Sequence, residues 1–195
     1  MELFERIAAA RERWNVLKHP FYTRWERGEL TREELAEYAG QYRHALVALA
    51  ETAAKASPLA GPEHAEEELA HVDLWDDFAR AVGGNGAKPN AETQECVAAW
   101  SPEDELEALA VLYAVESAQP EISQTKLAGL AAHYGVSDDS PGAVYFALHA
   151  ERDHEHAKQS RRLLAELARE EDEDRLVLAA EVAYRGNWTL LDGVS

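Results

Sequence analysis

The stretch Tyr145-Phe146-Ala147-Leu148-His149-Ala150-Glu151-Arg152-Asp153-His154-Glu155-His156 decides how this chain is read. At 3.6 residues per turn, His149, Asp153 and His156 fall at i, i+4 and i+7, so two imidazoles and a carboxylate converge on one narrow helical face. The same spacing recurs to either side, as in Leu3, Ile7, Ala10, Trp14 and Leu17, and no segment alternates in the manner of a strand between turn signals. The expected class is all-α, about seven helices in a single domain over residues 1–195.

Punctuation along the chain sets the expected helix ends. His19-Pro20 interrupts the first helix, and a short turn from Pro20 to Trp25 stops at Gly28. Thr31 with Glu34 forms a capping box for a long helix that Ser57-Pro58 and Gly61-Pro62 should break near Ala56. The next helix starts near Glu63 and stops at Gly83-Gly84-Asn85-Gly86. A short one follows over Ala91 to Trp100. Ser101-Pro102-Glu103 caps a helix through Ser117 that Pro120 should bend or restart, with its end at Gly135. Ser140-Pro141 opens a helix to about Arg169, and the acidic run Glu170 to Asp174 leads into a last one from Arg175 to about Leu190.

Composition narrows the function classes. The chain has 195 residues, with 19 Lys and Arg against 37 Asp and Glu, a formal charge of −18 that repels phosphate backbones and anionic lipid heads, so neither nucleic acid nor a membrane surface is an expected partner. No apolar run approaches the length of a membrane-spanning helix, and no basic segment followed by an apolar run marks a signal peptide, so the expected compartment is the cytoplasm. Cys96 is the only cysteine, with no basic neighbour to activate it, and reads as a small apolar side chain.

The triplet His149, Asp153, His156 suits iron, manganese or zinc, yet it arises by chance in roughly six sequences in a hundred of this composition. Two further features join it. Glu67, Glu68 and His71 share a helix face, and Glu68-Leu-Ala-His71 is the Glu-x-x-His pattern with which carboxylate-bridged bundles hold two metals. Glu116 is the lone acid in Leu109-Ala-Val-Leu-Tyr-Ala-Val-Glu116, where a buried carboxylate needs a proton, a cationic partner or a metal. Glu68, His71, Glu116, His149, Asp153 and His156 make three carboxylates and three imidazoles from three helices. The blander alternatives are a solvated face for Glu66 to Glu68, surface pairs with Glu151 and Glu155 for the histidines, and a hydrogen-bonded structural acid at Glu116.

With those residues in place, the chain resembles the TenA, PqqC and chlamydial death-domain-associating protein superfamily. The resemblance rests on His19-Pro-Phe-Tyr22, Trp25, Gly28-Glu-Leu-Thr-Arg-Glu-Glu-Leu and Tyr38 to His44, then on His71-Val-Asp-Leu-Trp75. Further on it includes Leu112-Tyr-Ala-Val-Glu116, Pro120-Glu-Ile-Ser-Gln-Thr-Lys126-Leu-Ala-Gly129, Tyr145-Phe-Ala-Leu-His149, Asp153 and His156. It implies a heme-oxygenase-like helical bundle, commonly dimeric or tetrameric. TenA thiaminases use a core cysteine that has no counterpart here, and the metal-free PqqC oxidases do not require the full acid and imidazole set.

The resemblance therefore implies the diiron oxidase branch, binding two Fe(II), with manganese as an alternative, and using dioxygen to oxidise a small molecule. That branch usually has a glutamate seven residues before its histidine, where this chain has His64. Glu68, or Glu67, then takes the glutamate's place, and His64 is itself a candidate ligand. One subgroup makes p-aminobenzoate by consuming its own tyrosine with the help of a lysine. Tyr22, Tyr38, Tyr145 and Lys126 stand at the matching positions, beside the plainer readings of core aromatics and a surface charge. Two other possibilities are a metal-free enzyme on the same fold and a non-enzymatic binding or regulatory protein.

Overall fold

Several helix boundaries in the computed structural model, which describes residues 2–84 and 86–195, have a local cause. Helix α1 spans Leu3–Arg13 and is followed by a 3-10 turn at Val16–Lys18. His19 then caps α2 (Pro20–Glu26), its Nδ1 accepting the Phe21 N–H while Pro20 fills the first helical position. Thr31 and Glu34 form the expected reciprocal capping box at the start of α3.

Helix α3 (Arg32–Ala60) runs through Pro58 and stops at Gly61, whose φ of +92° ends it. The predicted break near Ala56 is displaced by one turn. Pro58 lies in the last turn, where its missing N–H removes only one intrahelical bond. Helix α4 (Glu63–Val82) ends at Gly83 with φ +83°; Asn85 of the expected stop signal lies outside the described residues. Helix α5 is Ala91–Ala99.

Asp104 caps α6 (Glu105–Gly129), accepting the Glu107 N–H at 2.8 Å. Pro120 does not restart α6: the helix continues to Gly129 and adds a wide turn over Leu130–Tyr134 before Gly135. Pro120 nevertheless withholds the N–H that would bond to the carbonyl of Glu116, one turn earlier. Helix α7 is Val144–Leu167, entered through a 3-10 turn at Pro141–Ala143, and α8 is Glu173–Asp192. The described residues thus form eight α-helices and no strand.

Helix α6 packs along α7 and crosses α3 and α8, α3 packs along α4, and α4 meets α7. Phe21, Tyr22, Trp25, Tyr38, Tyr42, Trp75, Phe78, Tyr145 and Phe146 fill the space these helices enclose. Close approach is built in: a Cβ on Gly129 would lie 2.5 Å from the Trp25 ring, so glycine there lets α2 seat against α6. The Trp25 indole N–H donates to the Lys126 carbonyl and that of Trp75 to the Ala39 carbonyl. Within this apolar interior lie the buried polar side chains His64, Glu68, His71, Glu116, Lys126, His149 and Asp153. Among the described residues no helix is long and apolar enough to cross a membrane.

Candidate metal centre

Helices α4, α6 and α7 bring the sequence-derived acids and imidazoles together. Glu68, His71 and His149 place one donor atom each within 4.8 Å of one another, and so do His64, Glu68, Glu116 and His156. Glu68 is the carboxylate common to both groups. His64 joins the second group because it lies one turn before Glu68 on the same face of α4. Asp153 belongs to neither group, yet it is buried beside them with both oxygens unpartnered. Glu67 is 39% exposed and stands at the rim, accepting from Arg152 Nη1 at 3.2 Å and lying 3.2 Å from His156 Nε2.

Unmatched lone pairs distinguish this cluster from an ordinary structural network. Both oxygens of Glu116 and of Asp153, Nε2 of His64, Nε2 of His149 and Nδ1 of His156 are buried without a hydrogen-bond partner among the described residues. His64 Nε2 approaches Glu116 Oε1 to 2.7 Å but without hydrogen-bond geometry. Buried polar atoms are normally paired, and leaving one unpaired costs on the order of 1–3 kcal/mol. So many in one place, all on residue types that ligate iron, fit a bound cation that supplies the missing partners.

Protonation follows burial. Burial, with the Glu68 charge beside it, pushes the Glu116 carboxyl well above the usual range. Asp153 is pushed up to about 10 by burial and by Glu116 and Glu68. Burial also opposes the charge on Glu68, but the hydrogen bond to His71 holds it below its ordinary value. Of the three, Glu68 alone is held toward its charged form. Burial lowers His64, His156 and His149, the last to about 4, so these rings are neutral and suited to ligation. His149 Nδ1 lies 2.6 Å from the Tyr145 carbonyl, which fixes the proton there and leaves Nε2 free to face the centre.

Beside the acids lies a second polar cluster. Tyr145 stacks on the His149 ring with centroids 3.9 Å apart, and its ring touches Trp75 at 5.0 Å. Behind Trp75, Lys126 is 1% exposed: it is a core residue and not a surface charge. Its Nζ donates to the Tyr38 hydroxyl at 2.7 Å, and Tyr38 and Tyr22 pair hydroxyl to hydroxyl at 3.0 Å. The ring faces of Tyr22, Tyr38, Tyr42, Trp75 and Phe146 surround Nζ at 4.9–5.7 Å. Those faces favour a cation, but complete burial outweighs them and holds the amine well below its ordinary value. Gln119, which the sequence reading did not single out, donates to the Tyr145 hydroxyl at 3.3 Å; a glutamine at i+3 from Glu116 is the only signal that marks it. Cys96 is buried on α5 with its thiol pushed up by burial, and it joins neither cluster.

Comparison with known proteins agrees with this arrangement. Residues 61–187 match a family described as iron-containing redox enzymes, and residues 7–83 match the TENA/THI-4/PQQC family. The chain is 30% identical to the 4-aminobenzoate synthase of Chlamydia muridarum, covering 98% of this chain and 89% of that protein. It is 31% identical to the 4-aminobenzoate synthase of Chlamydia trachomatis (91% and 85% covered) and 30% identical to that of Nitrosomonas europaea (92% and 85%). Among solved structures, a domain with a heme oxygenase-like fold from Shewanella denitrificans superposes with a TM-score of 0.82 at 18% identity, covering 100% of this chain and 92% of that one. A TenA homologue from Pseudomonas syringae does so at 0.80 and 17%, with 98% and 90% covered.

Proposed function

The chain belongs to the iron-containing redox enzymes of heme-oxygenase-like fold, and on that premise we propose that it is a diiron oxidase that forms 4-aminobenzoate by consuming one of its own tyrosines. The observation that carries this reading is the juxtaposition in one bundle: unpartnered acids and imidazoles on one side of Trp75 and Tyr145, and a buried lysine hydrogen-bonded to Tyr38 on the other. The relatives named 4-aminobenzoate synthase support the product.

Glu68, His71, Glu116, His149, Asp153 and His156 would hold the two Fe(II), and Glu68 is the carboxylate that both donor groups share. When bound, iron supplies the activation of dioxygen that the oxidation requires. The protein's own groups do the rest. The Tyr145–His149 stack and the surrounding aromatic rings exclude water from the centre. Burial keeps the Lys126 amine unprotonated, so its nitrogen lone pair is available. Tyr38 accepts from Lys126 and contacts Tyr22, which fixes a phenol ring against the amine. Tyr22, Tyr38 and Tyr145 are fully buried, which suits a substrate that is part of the chain and never has to enter.

Intact-mass measurement after aerobic Fe(II) loading tests the proposal. The expected result is a mass loss that maps to one tyrosine and to the residue that gives up the amino nitrogen, with release of 4-aminobenzoate, both absent in metal-stripped protein and in the phenylalanine variant of the tyrosine consumed. Product formation that persists in Tyr22→Phe, Tyr38→Phe and Tyr145→Phe alike would contradict it.

A further inference from the structure

The two groups of donors that share Glu68 are chemically unequal. His71 and His149 belong to the deeper one, where His149 is covered by the stacked Tyr145 ring and is 2% exposed. His64, Glu116 and His156 belong to the other, and there the His156 side chain is 13% exposed beneath the Glu67–Arg152 ion pair. His64 occupies the position at which the resemblance leads one to expect a carboxylate. Its Nε2 is 2.7 Å from Glu116 Oε1 and 3.9 Å from Glu68 Oε1, buried, and without a hydrogen bond. Its ring lies 4.3 Å from that of His156, centroid to centroid. A structural histidine would satisfy its nitrogens, and two imidazoles packed beside unpartnered carboxylate oxygens leave lone pairs facing one another unless a proton or a cation lies between them, and a metal serves all of these donors at once.

We propose that His64 is a metal ligand that completes an outer position with His156 and Glu116, separate from the inner position at His71 and His149, and that it biases the outer position toward Fe(II) over Mn(II). The inference rests on the dinuclear reading above. Its chemistry is direct: imidazole suits iron, whereas carboxylate suits manganese, so exchanging one for the other in a single position alters selectivity there and leaves the inner position as it was. His156, under the Glu67–Arg152 pair, is the most exposed of the donors named above, so the outer metal is also the one that exchanges faster with solution.

The test is elemental analysis and chelator kinetics on metal-stripped protein loaded anaerobically with Fe(II) and desalted. Wild type is expected to retain two irons, one released to chelator at least about tenfold faster than the other. His64→Ala retains one, the slowly released iron, and His64→Glu retains two. In competition between equal Fe(II) and Mn(II), His64→Glu takes up about tenfold more Mn(II) than wild type. Retention of two irons by His64→Ala, loss of both with its helical circular dichroism intact, or unchanged Mn(II) uptake by His64→Glu would overturn the inference. His64→Gln, close in volume, replaces the alanine variant if that variant fails to fold. A wild-type protein that retains no iron sinks the dinuclear reading itself, so the two failures are distinguishable.

Discussion

The bundle buries two polar clusters on either side of Trp75 and Tyr145, and they reach electrostatic balance in different ways. Around Lys126 the chain is its own partner: the amine donates to Tyr38, Tyr38 pairs with Tyr22, and five ring faces enclose the nitrogen. Around Glu116 and Asp153 the chain leaves oxygens and ring nitrogens unmatched, and burial pushes both carboxyls up toward their neutral form. An amine that finds its acceptor within the chain is complete on folding, whereas a group of acids and imidazoles left unpartnered is built for a ligand from outside. The two should therefore respond differently to the same kind of substitution.

The largest effect is expected from His149→Ala. It should lose at least one iron and lower product formation by several kcal/mol of barrier, about a thousandfold, while the helical circular dichroism is kept. Two tightly held irons in this variant would remove His149 from the centre. Lys126→Met should behave oppositely with respect to metal, retaining both irons while product formation falls by about a hundredfold or more. It should also stabilise the metal-free protein by on the order of 1–3 kcal/mol, because an apolar chain of similar size replaces a buried amine. Loss of iron in Lys126→Met would merge the two clusters into one.

Asp153→Asn separates stability from function within the acid cluster. The folded-state pKa of Asp153 is raised to about 10 above an unfolded value of about 3.9. Its effect on metal-free stability is therefore absent below about pH 4 and grows more unfavourable as pH rises toward 10. The asparagine variant should melt higher than wild type at pH 8, by on the order of 2 kcal/mol, lose that advantage at pH 4, and bind iron more weakly. An equal melting difference at both pH values would show that the carboxyl is not held protonated. The smallest change is expected from Arg152→Ala at the rim, where an exposed pair contributes about 0–1 kcal/mol: iron release to chelator should quicken by no more than about fivefold, with stoichiometry unchanged.

How far the sequence discloses each cluster follows from how local its signal is. His149, Asp153 and His156 share a face because they share a helix, and Glu68 with His71 likewise, so spacing alone places both sets. Glu116 is marked by its apolar neighbours. That Glu68 is the carboxylate common to both donor groups is not legible in the sequence, because it depends on how α4, α6 and α7 are rotated against one another, which no single helix encodes. Lys126, following Glu121, reads equally as a surface charge in the sequence; only the approach of α2, α3, α4 and α7 buries it. The proline breaks expected at Pro58 and Pro120 are carried inside helices, since packing along α4 and α7 outweighs the one bond each proline removes.

The most direct test of the account is an anaerobic Fe(II) titration of the metal-stripped protein, followed by mixing with oxygen and measurement of oxygen consumed and 4-aminobenzoate released. The account predicts binding of about two irons and oxygen uptake with product only when iron is present. Failure to bind iron tightly, or product that survives rigorous chelation, would contradict it.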